Sequence, residues 1–260
     1  MKTRSSQRLL VYAIFFLLAL VLSPGARAQQ PSSQSLSSER DRGLELYQKG
    51  DYPAAIETLR AVTSKNREDG AAWHLLGLAL LAAGKKEQAR TAFEKAVTVR
   101  LHSLIAVPLL MVTTSAPGPA VKPQDRYQAA LESAEQYLAL GRVTEDWQFQ
   151  VEALRFYRDY YAGTLSNETM VTNKEVQTRL RISSKPAPDF SGVGASGTSV
   201  LRAVFSADGR VRHVLVLKRV APDFDLRCIE AAQQIKFTPA IKEGKPVSMI
   251  LQLEYNRHYF

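Results

Sequence analysis

Four histidines and one cysteine are the side chains of this chain best suited to ligating a metal or attacking a substrate near neutral pH. His74, His102, His213 and His258 lie in separate stretches with no paired metal-ligand spacing, and a metal site needs three or four convergent groups. His213 and His258 are the two that could meet, and a structural or surface role is the better reading of both. Cys228 sits beside Ile229 with no base near it in sequence, which reads as a small buried side chain rather than a nucleophile. No phosphate loop, dinucleotide fingerprint or nucleophile elbow occurs. The chain therefore reads as a non-enzyme with no metal and no cofactor, and its purpose is to be sought in binding.

The elements that could position a binding surface begin after a leader. Lys2, Arg4 and Arg8 precede an apolar run from Leu9 to Leu22, and Ala26 and Ala28 follow at the spacing of a cleavage site. Residues 1–28 read as a secretory signal peptide, since a run of this length falls short of the roughly 20 apolar residues that span a bilayer. The alternative is an uncleaved anchor in the inner membrane, the one circumstance in which membrane contact is expected. Export permits disulfides, but a lone cysteine cannot form one within the chain, so the fold must rest on packing. The formal charge is +9, and removing the leader's Lys2, Arg4, Arg8 and Arg27 leaves +5. Such a mild, dispersed charge argues against nucleic acid and fits an anionic membrane surface or an acidic peptide better.

After a polar linker over residues 29–38, two stretches align 34 residues apart. Gly43 falls on Gly77, Gly50 on Gly84, Ala55 on Ala89, Leu59 on Phe93 and Val62 on Ala96. That period, with small residues where helices would touch and glycines where the first helix of each pair would end, predicts stacked helical hairpins. The pattern, with Trp73, Leu76, Gly77, Ala89, Phe93 and Ala96, resembles the tetratricopeptide repeat. Two stripes at helical spacing follow: Tyr127, Leu131, Ala134 and Leu138, then Trp147, Val151, Leu154, Tyr157 and Tyr161. They predict a degenerate third pair that caps the stack, making residues 39–162 an α-solenoid. Arg40, Leu44, Tyr47, His74, Leu78 and Leu81 occupy positions that face inward in such repeats, and form a candidate groove for an apolar or helical peptide. Packing against residues 101–162 is the competing role for them.

From Gly197 the period changes to alternation, beyond a linker at residues 163–179. TSVLRAVFSADGRVRHVLVLK predicts a β-hairpin, DFDLRCIEAAQQI a crossover helix begun by a capping Asp, and residues 247–256 a final strand with Ile250 as an outlier. The final strand should pair antiparallel with the first, giving sheet order 2-1-3 and a small α+β domain with a three-stranded antiparallel or mixed sheet. The sequence SSKPAPDF, then GTSVLRAVFSADGRV, an Ala-rich helix and KFTPAIKEGKPV is similar to the C-terminal domain of TonB-family proteins, over residues 180–260. The resemblance implies a periplasmic domain that accepts an extended segment of an outer-membrane receptor as an added strand. Carried onto this sequence, that edge is Val247, Ser248, Met249, Ile250, Leu251, Gln252, Leu253, Glu254, Tyr255 and Asn256. In place of the family's short helix, SGVGASG leaves room only for a loop.

Three readings follow. The first is an exported adaptor whose repeats and TonB-like domain each hold a protein partner. The second is a TonB-type energy transducer anchored by an uncleaved N-terminal helix, although QQPSSQSLSS extends only about 33–36 Å where a long spacer is needed. The third is a structural protein that self-associates into a homo-oligomer through its sheet edge.

Overall fold

The computed structural model describes residues 33–106, 121–141, 144–165 and 170–258; the leader, Gln29 to Ser32 and the stretch around Pro108 lie outside the described residues. No helix among the described residues is long and apolar enough to cross a membrane. From Ser37 onward the chain forms one compact unit.

The 34-residue pattern folds as two helical hairpins: α1 (Ser33–Gln48) with α2 (Tyr52–Lys65), and α3 (Gly70–Ala82) with α4 (Lys86–Ser103). Helix α1 begins inside the segment expected to be linker. Asp51 and Asp69 cap α2 and α3 by accepting from the amides of Ala54 and Ala72, at 3.2 and 2.9 Å. The small residues are there for contact. A Cβ on Gly43 would lie 2.7 Å from the Leu59 side chain, and one on Gly77 would lie 2.6 Å from Phe93. Gly50 and Gly84 end the first helices with φ of 79° and 75°, a conformation that costs glycine little. A 3₁₀ turn at Leu104–Ala106 follows, and α5 (Pro123–Ala139) and α6 (Glu145–Ala162) form the third pair.

The remaining elements are β1 (Arg181–Ser184), β2 (Gly197–Phe205), β3 (Val211–Lys218), α7 (Pro222–Gln233), β4 (Lys236–Thr238), β5 (Ala240–Lys242), β6 (Lys245–Val247) and β7 (Met249–Arg257). The main sheet has order β3-β2-β7 with both pairings antiparallel, the 2-1-3 order expected. Two small ribbons accompany it, β1 with β4 and β5 with β6. The final strand starts later than the sequence suggested: β2 ends at Phe205, whose partner is Met249, so Val247 pairs instead with Ala240 in the β5–β6 hairpin. SGVGASG is a loop.

Both faces of the sheet are covered over β2 and β3. Leu201, Ala203, Phe205 and Val216 pack with Phe224, Cys228, Ile229 and Ala232 of α7. On the opposite face Val204, Leu215, Leu217 and Ile250 belong to the core of the helical region. This explains the outlier Ile250: alternation fails where a strand is buried on both sides. The third hairpin therefore does not cap the stack toward solvent, because α6 lies against β3. Arg202 of β2 is fully buried there, donating to the Tyr127 hydroxyl at 2.5 Å and the Leu104 carbonyl at 3.0 Å. The Tyr127 ring stacks on Tyr157 and Tyr161. A second tie is ionic: Arg219 pairs with buried Asp146 of α6, lies 3.4 Å from Asp225 of α7, and covers the Trp147 ring.

The capping Asp expected at the start of α7 is not found: the N-cap position is Ala221, with no side-chain cap hydrogen bond. Asp223 is exposed, whereas Asp225 is buried and accepts from the Val220 amide and the Ser199 hydroxyl, both at 3.1 Å. Burial raises its pKa to about 6 against the pull of Arg219.

Candidate binding edge

A three-stranded sheet has two edges, and in this molecule they are treated differently. At the β3 edge, α6 lies alongside and the Gln150 side chain behaves as a substitute strand: its carbonyl oxygen accepts from the Val216 amide at 3.0 Å and its amide donates to the Val216 carbonyl at 3.3 Å. Gln150 is fully buried. At Val216 that edge is covered by a side chain whose two polar ends match the two backbone groups.

The β7 edge is contacted at two places, before the strand and at Glu254. Before the strand, the Ser248 carbonyl accepts from the Val171 amide at 3.0 Å, with a parallel bridge between Met170 and Ser248. Near its far end, the Glu254 carbonyl accepts from Lys185 Nζ at 3.0 Å, and the same ammonium lies 4.6 Å from the Tyr255 ring centroid. Ser248 and Glu254 are an even number of residues apart, and β7 pairs with β2 without a register shift from Met249 to Arg257. Main-chain groups alternate sides along a strand, so Ile250 and Gln252, of the same parity, also turn their N–H and C=O away from β2. Among the described residues, nothing outside β2 bonds to the main chain of either. Between these two contacts the unpaired stretch is Ile250 to Gln252, shorter than the ten residues the sequence offered; Asn256, of the same parity and beyond the Lys185 contact, is likewise without a main-chain partner outside β2 among the described residues.

Side chains along this strand divide by face. Met249, Leu253 and Tyr255 are buried and Leu251 is half-buried, whereas Gln252, Glu254 and Asn256 are exposed on the face where Ile250 alone reaches the helical core. Burial, helped by the nearby Cys228, lifts the Tyr255 hydroxyl to a pKa of about 12. Burial also raises the Cys228 thiol to about 12, in keeping with an inert core position.

The six residues assigned to a repeat groove are all half-buried, and five of them have partners inside the fold. Arg40 pairs with Asp69 at 3.0 Å, and His74 Nδ1 lies 2.9 Å from the Ser133 hydroxyl of α5. Tyr47 faces the Tyr52 ring, and Tyr47, Leu78 and Leu81 pack against the helical core; Leu44 is the remaining member. His213 and His258 do not share a site. His213 adopts a positive φ of 48° at an irregularity of the β2–β3 pairing and stacks on Phe156 at 3.7 Å, whereas His258 is exposed beyond the end of β7.

Gln150, Val171, Lys185 and Arg202 were not singled out from sequence. Arg202 alone gave a local sign, as a charge inside the apolar strand VLRAVF.

Fold and edge together define a class: a helical-repeat scaffold joined to a small sheet with one partly open margin. Comparison with known families gives each half its kind. Residues 40–102 match the tetratricopeptide repeat, and residues 192–256 match the Gram-negative bacterial TonB protein C-terminal domain. The chain thus carries a tetratricopeptide-repeat region followed by a TonB-type C-terminal domain. Both matched families are non-catalytic. No curated protein matches the chain. Among solved structures, the type III secretion translocator chaperone SycD of Yersinia enterocolitica is similar at 13% identity and a TM-score of 0.27, covering 54% of this chain and 91% of that one. A chain of the CopN-Scc3 complex gives 15% and 0.28, with coverages of 54% and 84%. SycD bound to a peptide of the translocator YopD gives 13% and 0.26, with coverages of 51% and 96%.

Proposed function

We propose that this protein is a non-catalytic periplasmic adaptor whose β7 edge receives an extended segment of an outer-membrane partner as an added strand. The observation that carries the reading is the unpaired main chain of Ile250 and Gln252 on a sheet whose other edge is covered at Val216 by Gln150. Unpaired strand groups at a protein surface are a template for pairing, and alternate side chains add selectivity. The half-buried residues Leu44, Tyr47, Leu78 and Leu81 of the repeats are the second proposed contact, for an apolar or helical peptide. The signal-peptide pattern read in residues 1–28 and the Gram-negative description of the matched C-terminal family support a periplasmic location.

Two experiments test this. N-terminal sequencing of protein from cells should find a mature start at Gln29; full-length protein retained in the inner membrane would favour an anchored transducer instead. Gln252→Pro removes one outward donor without removing a bond to β2, so it should abolish capture of an extended receptor-segment peptide while circular dichroism stays native. Unchanged capture by the folded variant would contradict strand addition at this edge.

A further inference from the structure

Accepting that reading of the edge, the geometry around Ser248 says more about which segments fit it. The chain leaving α6 returns to the sheet at Met170, makes one parallel bridge to Ser248, and buries Val171 against Ala240 and Met249. In a parallel ladder the next rung would join Val171 to Ile250. It is not made, because the chain turns away at once: the Glu175 amide donates to the Thr172 carbonyl, and the Thr172 amide donates to the Glu175 carboxylate at 2.9 Å. Glu175 is in turn 3.6 Å from Lys242, and Thr178 bridges to Ile241, so the segment is fastened to the β5–β6 hairpin.

We propose that Val171 acts as an intramolecular competitor that occupies the first rung of the β7 edge and thereby fixes the register and length of the guest strand. A guest then pairs opposite Ile250 and Gln252 and cannot extend past Ser248 while the strap is in place. The partner that fits is a short extended segment, such as one flanked by turns, rather than a long β-strand or the edge of a second copy of this chain.

The test compares two synthetic peptides, acetyl-Thr-Val-Thr-Val-amide and the eight-residue doubling of it, on the full-length protein and on Val171→Pro, which lacks the amide that bonds Ser248. Glu175→Ala, which frees the turn at Thr172 without touching the core, is the parallel variant should proline at a buried position compromise folding. The wild type should bind both peptides within about two-fold of one another, with amide protection appearing at Ile250 and Gln252. In either variant the longer peptide should gain about five-fold, the worth of one additional backbone hydrogen bond, while the shorter one is unchanged. The proposal is overturned if the longer peptide is already favoured by the wild type, or if folded variants treat the two alike. Failure of both peptides to protect Ile250 and Gln252 in every form would instead remove the strand-addition reading on which the proposal rests.

Discussion

His74 shows how a single residue with reactive chemistry can be absorbed by packing. Its ring meets Ser133 and the edge of Phe93, and burial, reinforced by the nearby Arg100 charge, lowers its pKa from 6.5 to about 4. The folded protein therefore holds this ring neutral at pH values where the unfolded chain protonates it. The sign follows: the stability associated with neutral His74 is complete above about 6.5 and is lost as the pH falls toward 4. His74→Gln, which cannot titrate, should lose less stability than the wild type between pH 7 and pH 5, as measured by urea denaturation at both values. Asp225 has the opposite slope, because its raised pKa makes its contribution fullest at low pH and diminishing as pH rises through about 6. The residue types of His74 and Cys228 alone suggested little, since spacing already spoke against a shared site. What spacing could not reveal was that Gln150, an unremarked polar residue on a helix, would supply both halves of a strand's hydrogen bonding.

At the scale of elements, the hairpins were legible because close contact demands small residues at fixed intervals. Ala89 is fully buried within the second hairpin, so Ala89→Leu should destabilise by about 1–3 kcal/mol through overpacking, read as a lower denaturation midpoint. The short ribbons were not legible. A three-residue strand such as β6 has no period of its own, and its pairing depends on where β2 happens to end. The same holds for β1, whose partner Phe237 is distant in sequence. Closure of the β3 edge is also a property of two elements rather than one. Gln150→Leu keeps the helix but strands a buried amide and carbonyl of Val216, so it should cost about 1–3 kcal/mol for each group left unpaired. A near-neutral change in chemical denaturation would mean that α6 is not the cover of that edge.

The molecule as a whole is where sequence reading stops short. Two regions were expected on either side of a linker, yet Val204, Leu215 and Ile250 of the sheet share a core with the helical region, and Arg202 reaches Tyr127 across the join. Nothing in the periodicity of either half signals this, because each half already has an apolar face for its own core. The consequence for function is asymmetry: a helix lies along the β3 edge and bonds it at Val216, whereas among the described residues no helix lies along the outward groups of Ile250 and Gln252. That asymmetry is tested most directly by residue-resolved amide hydrogen exchange in the free protein. The account predicts alternation along β7, with fast exchange at Ile250 and Gln252 and slow exchange at Leu251 and Leu253, and selective slowing of the first two when an extended receptor-segment peptide is added. Uniform protection of all four in the free protein, or protection by the peptide confined to the helical repeats, would contradict it.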